Sequence, residues 1–205
     1  MKLLKAIKNR RSIRKFKPNP IQDTDVIQIL EAGIWAPSSG GTQPYKFFIL
    51  KDRKQIDRLY TRMLTKEVQR VVSHPSVDRT KEEVRDELTP YFRNIQRAPV
   101  HILLFYDVQV GADRFTEGDV DRFKAVTPLY MSLRDSLIFT AQNMMLMATA
   151  LGLGSLYLEA FRRHPKVIAD TVKHRDTLEF FACIPIGVPD EQPEVKARKV
   201  KDFLL

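Results

Sequence analysis

The feature that most constrains the fold is a run of 23 residues without a charged side chain, from Ser136 to Leu158. It overlaps a stretch from Pro128 to Leu151 that begins at a proline and is followed by a glycine, as helices often are. The run reaches membrane-spanning length, but two threonines, a glutamine and an asparagine interrupt it, so we interpret it as a helix buried inside a globular protein. Because this helix is apolar on nearly every side, it needs cover on every side. One domain can supply that cover only at its centre or together with a second copy.

Length and composition limit the number of domains and the class of partner. The chain has 205 residues and a net charge of +9, so we expect one domain over residues 1–205 and an anionic partner, such as a phosphorylated cofactor or nucleic acid. The sole cysteine, Cys183, lies in an apolar run that predicts a buried thiol. The four histidines lack metal-ligand spacing, so we predict no metal site. No secretory signal is visible, which predicts a cytoplasmic location and no membrane partner.

Hydrophobic periodicity predicts an α+β fold with a central mixed or mainly antiparallel sheet flanked by helices. Strands are expected at 45–50, 100–106 and 178–186, with a possible short strand at 154–158. Helices are expected at 2–8, 24–35, 52–72, 80–96, 128–151 and 164–172, and a loop at 111–118. The second helix should be capped by Asp23 and bury Ile27, Leu30 and Ile34. Glycine-rich dinucleotide and phosphate-binding loop motifs are absent from the sequence.

Two cationic clusters lie near opposite ends of the chain. The first, R-R-S-I-R-K-F at 10–16, has no acidic residue before Asp23, and the second is Lys196–Ala197–Arg198. Arginine forks and a serine hydroxyl suit a phosphate group. A solvated basic terminus is the alternative interpretation of the first cluster taken alone.

Four segments in order carry a resemblance to a known family. They are R-R-S-I-R-K-F at 10–16, A-P-S-S-G-G-T-Q-P-Y-K-F at 36–47, A-L-G-L-G-S-L-Y-L-E-A-F at 150–161, and I-G-V-P followed by K-A-R at 186–198. Together they resemble the FMN-dependent nitroreductase family over nearly the whole chain. The resemblance implies an α+β subunit in an intertwined homodimer, with FMN at the interface and residues 190–205 extending onto the partner subunit.

The resemblance also implies residue roles at the cationic clusters. Arg10, Lys196 and Arg198 match positions that bind the FMN phosphate, and Ser12 matches a ribityl or phosphate contact. Arg11 either joins them or faces solvent. Arg14 matches a cation near the N1–C2=O edge of the ring, where reduction places negative charge; a surface arginine is the alternative.

Two further segments match positions around the flavin. The resemblance implies that Pro37, Ser38 and Ser39 reach the cofactor of the partner subunit, while Gln43 more plausibly holds their loop in place. Gly41 stands where asparagine is common and Tyr45 where tryptophan is common.

A third segment is expected to pack its backbone on one ring face: Leu158, Glu159 and Ala160. A ring-edge contact is expected from Arg93, Asn94 or Arg97, with no choice among them. Phe92, Phe115 and Phe123 are candidate lining residues, although ordinary core or dimer contacts explain them as well.

The implied activity is transfer of hydride from NADH or NADPH onto flavin N5, followed by electron transfer to a nitroaromatic, quinone or similar small-molecule acceptor in a ping-pong cycle. The cofactor carries this chemistry, so no protein acid or base is predicted to be catalytic. Two alternatives stay open. One is a relative with other flavin chemistry, such as dehalogenation, alkene reduction or flavin fragmentation. The other is a basic nucleic-acid-binding module, which the absence of aromatic residues interleaved with the basic ones disfavours.

Overall fold

A four-stranded antiparallel sheet forms the centre of the computed structural model, which describes residues 2–195 and 198–204. Its strands are β1 (Tyr45–Leu50), β2 (Val100–Asp107), β3 (Gly154–Ser155) and β4 (Leu178–Gly187), in the order β1-β2-β4-β3. Every residue of β2 is buried, as expected of a central strand covered on both faces. The sheet therefore agrees with the antiparallel alternative of the predicted α+β fold.

Helices cover both faces of this sheet. They are α1 (Leu3–Asn9), α2 (Asp23–Ile34), α3 (Arg53–Val72), α4 (Lys81–Gln96), α5 (Val108–Phe115), α6 (Val120–Ala125), α7 (Thr127–Ala150) and α8 (Pro165–Thr171). One core packs α2 and α7 against the face that carries Ile102 and Ile184. The other packs α3, α4 and α8 against the face that carries Leu103 and Cys183. Among the described residues no helix has the length and hydropathy needed to span a membrane.

The long apolar helix is α7, and one chain covers only part of it. Leu137 and Met144 are fully buried against the sheet and α2. Ile138 and Phe139, on another side of the helix, are each 52% exposed. Burial at the centre of the domain therefore accounts for one side of α7 and leaves the other side uncovered.

The prediction for the buried face of α2 is wrong for Ile27 and Ile34, whereas Leu30 is partly buried against the core. The helix starts at Asp23 itself without a side-chain cap, and Val26, Ile29 and Gly33 are its buried residues. Ile27 is 63% exposed. A Cβ added at Gly33 would lie 2.8 Å from Met144 Cγ, so this glycine lets α2 approach α7 closely. Apolar residues lie on two sides of α2, and periodicity alone selected the outer side.

The prediction of a loop at 111–118 is also wrong over its first half, which belongs to α5. The Asp107 side chain accepts a hydrogen bond from the Gln109 amide and caps this helix. Gly111 lies inside α5, where its missing side chain makes room for the Phe123 ring. A glycine that looked like a loop signal is thus a packing position.

Candidate functional site

The N-terminal cationic segment is held in place by main-chain hydrogen bonds. The Ile13 amide donates to the Ser155 carbonyl at 2.9 Å, and the Lys17 amide donates to the Val188 carbonyl at 2.9 Å. Phe16 is fully buried between these anchors. The segment therefore extends the sheet beyond β3, and this fixes the position of Arg10 at its start.

Arg10 opens into a cavity of about 420 Å³, which we call the arginine cavity. Glu159, one of the predicted flavin residues, lines the same space. Two arginines that the sequence did not single out, Arg134 and Arg162, also line it. The remaining lining residues are Ile138, Ala141, Gln142, Met145, Tyr157 and Phe181. A cavity with three guanidinium groups, an amide and aromatic walls suits a planar anionic ligand.

Arg198 lies close to Arg10, although the two are near opposite ends of the chain. Burial lowers the pKa of Arg10, and repulsion from Arg11 and Arg198 lowers this pKa further. Such a concentration of positive charge is relieved when an anion binds. Lys196, the other predicted phosphate ligand of the second cluster, lies outside the described residues.

The other residues of the first cluster occupy different places. Arg11 donates through Nη1 to the carbonyls of Lys8 at 2.8 Å and Arg10 at 2.6 Å, while its buried Nη2 has no partner among the described residues. Ser12 is half-buried and forms a bridge with Ser155 in β3. Arg14 is exposed, and its Nη1 donates to the Ser12 carbonyl at 3.2 Å. Neither Ser12 nor Arg14 lines the arginine cavity, so their roles stay predictions.

The loop that holds Pro37, Ser38 and Ser39 docks on α7. The Ser39 amide donates to Ser136 Oγ at 3.0 Å, and the Ser39 and Ser132 hydroxyls are 2.9 Å apart. None of these loop residues lines the arginine cavity of the same chain.

A backbone contact closes this loop. The Gln43 amide donates to Ser38 Oγ at 3.0 Å, and Gln43 adopts a left-handed φ of 47°. Gln43 therefore closes the loop through its main chain, while its side chain is exposed.

The segment with Leu158, Glu159 and Ala160 separates two cavities. The Leu158 amide donates to the Cys183 carbonyl at 2.9 Å, which ties the segment to β4. Glu159 faces the arginine cavity, whereas Leu158 and Ala160 face a second space of about 200 Å³, the aromatic cavity. The residues that α3 and α4 contribute to the aromatic cavity are Tyr60, Glu67, Leu88, Tyr91, Phe92 and Ile95.

The three candidates for the ring-edge contact lie in or just after α4, next to the aromatic cavity, but none of them lines it. Tyr91 lines it, while Arg93, Asn94 and Arg97 do not. Of the three phenylalanines predicted as candidate lining residues, Phe92 lines the aromatic cavity. Phe115 and Phe123 stack on each other with ring centroids 6.3 Å apart and line neither cavity.

Sequence reasoning missed a buried ion cluster at the edge of the aromatic cavity. Glu67 of α3 is 8% exposed and accepts hydrogen bonds from Arg70 Nη2 at 2.6 Å and Arg163 Nη1 at 3.1 Å. His164 Nε2 lies 2.9 Å from the same carboxylate. Burial raises the pKa of Glu67, but the hydrogen bonds from Arg70 and His164 outweigh it and leave the pKa below its ordinary value. The cluster clamps the turn after Ala160 onto α3.

Two other titratable side chains, Cys183 and His101, are fully buried and line neither cavity. Burial raises the pKa of the Cys183 thiol and lowers the pKa of His101 to about 3, so the thiol and the neutral imidazole persist at neutral pH. Over residues 2–195 and 198–204, no group of three or more histidine, cysteine or acidic residues is arranged to hold a metal ion.

The comparisons with known proteins place the chain in a family. The family model described as the nitroreductase family matches residues 7–188, so the chain belongs to that family, as the resemblance implied. An NADPH-flavin oxidoreductase from Vibrio harveyi is 28% identical over 198 residues, which cover 95% of this chain and 69% of the relative. A 4-nitrobenzoate reductase from Pseudomonas putida is 24% identical over an alignment of 211 positions, covering 95% and 88% of the two chains.

Solved structures agree on the fold. The crystal structure of iodotyrosine deiodinase bound to FMN and 3-iodo-L-tyrosine has a TM-score of 0.71 with this chain at 21% identity. The similarity covers 96% of this chain and 95% of that one. The α+β architecture described above is therefore the nitroreductase fold.

Replacing Glu67 tests whether the ion cluster holds the segment that separates the cavities. We expect Glu67→Gln to lower the free energy of unfolding by about 3 kcal/mol, because two arginines and a histidine lose a buried carboxylate. Urea denaturation at neutral pH measures it. Glu87→Gln, which removes the exposed partner of Arg79, is the matched control and should cost about 1 kcal/mol or less.

The pH dependence follows from the lowered pKa of Glu67. The contribution of the carboxylate is fully present above its ordinary pKa of 4.5 and is lost as the pH falls through the lower pKa of the folded state. The stability difference between the wild type and Glu67→Gln should therefore shrink below pH 4.5. A difference that stays constant there would show that Glu67 is not held as a carboxylate.

Proposed function

We propose that this protein is an FMN-dependent oxidoreductase that takes hydride from NADH or NADPH onto flavin N5 and passes the electrons to a nitroaromatic, quinone or similar small-molecule acceptor. Membership of the nitroreductase family supports the class of activity. The observation that carries the proposal is the arginine cavity, which Arg10 and Glu159 both line, with the charge of Arg198 acting on Arg10. The cytoplasmic location expected from the sequence stays a prediction.

The described residues fit FMN chemically. Arg10 and Arg198 supply the positive charge that a phosphate dianion requires, and the resemblance adds Lys196 and Ser12 to this set. Tyr157 and Phe181 provide aromatic walls next to the Leu158–Ala160 segment. Bound flavin would supply the two-electron redox chemistry. The protein's own residues bind and orient it, and donor and acceptor occupy the same exposed space in turn.

A second copy of the chain would complete the site. Exposed apolar side chains lie on neighbouring elements: Leu3, Leu4 and Ile7 in α1, Ile27 and Ile34 in α2, Trp35 after it, and Met131, Ile138 and Phe139 in α7. Monomeric proteins rarely leave so many apolar residues uncovered in one region. A homodimer that buries this surface gives α7 the cover it lacks.

The loop and the tail also support the homodimer. The 37–43 loop docks on α7 yet lies outside the arginine cavity of its own chain, as expected if it serves the cavity of a partner. In the tail, Val195, Val200 and Leu204 are exposed. We therefore retain residues 190–205 as an extension onto the partner subunit.

A second candidate is flavin chemistry on a different acceptor, such as reductive dehalogenation. The fold similarity to iodotyrosine deiodinase favours keeping it. Both candidates require bound FMN and differ in which acceptor reoxidises it.

The proposed activity is tested by spectroscopy of the purified protein. We expect a yellow protein whose flavin absorbance bleaches on anaerobic addition of NADH or NADPH. A nitroaromatic or quinone should restore the absorbance, whereas restoration only by a halogenated aromatic would select the second candidate. Protein that is colourless after incubation with FMN and gel filtration would contradict both.

The homodimer is tested by placing a charge on the exposed side of α7. We expect Phe139→Glu to convert a dimer into a monomer and to abolish flavin retention, because the charge would be buried at the interface. Analytical ultracentrifugation with absorbance detection at the flavin band measures both. Gln69→Glu, an exposed position on α3, adds the same charge and should leave both unchanged. A Phe139→Glu dimer that retains flavin would contradict the proposed interface.

A further inference from the structure

The arginine cavity contains two guanidinium groups besides the one that we assign to the FMN phosphate. Besides Arg10 it is lined by Arg134 and Arg162, against the single carboxylate of Glu159. Arg162 is accounted for by the protein, because its Nη2 lies 3.2 Å from Glu159 Oε1 and its guanidinium lies 5.9 Å from the Phe181 ring centroid. Among the described residues, Arg134 has neither an ion pair nor an aromatic contact of this kind.

Arg134 is half-buried, and the side-chain hydrogen bond that the described residues offer it is a contact of 3.5 Å from Nη1 to the thioether of Met131. Over the part of the chain that the structure describes, no carboxylate lies within ion-pair distance of it. A guanidinium drawn partly out of water without an anion forgoes the charge-assisted bonds that normally compensate it. The position therefore favours an external anion.

The three guanidinium groups of the cavity come from separate parts of the fold: Arg10 follows α1, Arg134 belongs to α7, and Arg162 lies in the turn after Ala160. The charges that act on Arg10 are those of Arg11 and Arg198. Burial raises the pKa of Tyr157, and the charges that act on it are those of Glu159, Arg162 and Arg134. Arg134 and Arg162 therefore share Tyr157 as a neighbour on the cavity wall, and both line the cavity together with Glu159.

The wall of the arginine cavity beside Arg134 suits a flat ring. Arg134, Ile138 and Gln142 recur every four residues along α7, so they form one stripe that presents a cation, an apolar side chain and an amide to the cavity. Tyr157 and Phe181 add aromatic surface.

From this arrangement we propose that Arg134, supported by Arg162, forms a second anion subsite that binds a carboxylate or phosphate group of the substrate. The inference rests on the proposed function and deepens it. It assigns Arg10 to the FMN phosphate and Arg134 to the substrate. The anionic group has two possible sources, an aromatic acceptor that carries a carboxylate or the 2′-phosphate that distinguishes NADPH from NADH.

The experiment uses FMN-loaded protein and Arg134→Gln. Benzoate and its neutral counterpart benzamide are titrated against the oxidised protein, and the perturbation of the flavin absorbance gives each dissociation constant. The ratio of kcat/KM for NADPH to that for NADH, with one quinone acceptor, forms the second arm. Arg134→Lys keeps the charge, and Arg58→Gln, at an exposed position on α3, is the matched control for the loss of one arginine.

We expect Arg134→Gln to weaken benzoate binding roughly tenfold, the loss of about one charge-assisted hydrogen bond, with benzamide binding unchanged. Arg134→Lys should recover part of the loss, and Arg58→Gln should match the wild type. An effect on benzoate alone assigns the anion to the acceptor, and a fall in the NADPH preference alone assigns it to the donor. Either result supports the subsite.

Three results would overturn the inference. Arg134→Gln that leaves both arms unchanged shows that no substrate anion binds there. Equal losses for benzoate and benzamide, with a fall in dimer content, show that Arg134 serves the subunit interface. In the first case the protein still binds and reduces its flavin, and in the second case its remaining dimer does so, so the proposed function stands. Protein that cannot be loaded with FMN contradicts the proposed function and removes the basis of the subsite.

Discussion

The structure depends on one constraint, which is that α7 is apolar on two sides. Its inner side packs Leu137 and Met144 against the sheet and α2, and this contact organises one of the two cores. Its outer side leaves Ile138 and Phe139 in solvent. Burying a large aliphatic or aromatic side chain is worth about 1.5–3 kcal/mol, so an outer side with several of them is a strong drive to associate. A functional site beside α7 is thus tied to whatever covers this helix.

The candidate site is built from segments that the sheet fixes through main-chain hydrogen bonds. The Ile13 amide bonds to Ser155, and the Leu158 amide bonds to Cys183. These bonds place the side chains of Arg10 and Glu159 at the same cavity. On the opposite side of the Leu158–Ala160 segment, the Glu67 cluster holds the following turn against α3. The segment is therefore held from both sides, which limits the rearrangement that ligand binding would require.

Much of the fold was predictable because the strongest signals are local. The strands β2 and β4 and the helices α3, α4 and α7 agree with their hydrophobic periodicity to within a residue or two. The errors arise where a residue's partner is distant in sequence. The buried side of α2 depends on Gly33 meeting Met144, and α5 depends on Gly111 making room for Phe123. Neither contact can be detected from the local hydrophobic pattern of the sequence.

The residues of the candidate site likewise divide into those that the sequence predicted and those that it did not. Arg10 and Glu159 were predicted from the family resemblance and share a cavity, and Arg198 lies near Arg10. Arg134 and Arg162 lie far apart in the sequence and outside every motif, and only the fold brings them to one cavity. Glu67 had a weak signal, an acidic residue between Met63 and Val68 on the buried side of α3.

The central claim is that Arg10 and Arg198 bind one phosphate dianion together. Titration of the flavin-free protein with FMN and with riboflavin, which lacks the phosphate, tests it most directly. Two charge-assisted contacts should make FMN bind roughly a hundredfold or more tighter than riboflavin. Arg198→Gln should weaken FMN binding while leaving riboflavin binding unchanged. Equal affinities for the two flavins, or an FMN affinity that Arg198→Gln leaves intact, would contradict the account.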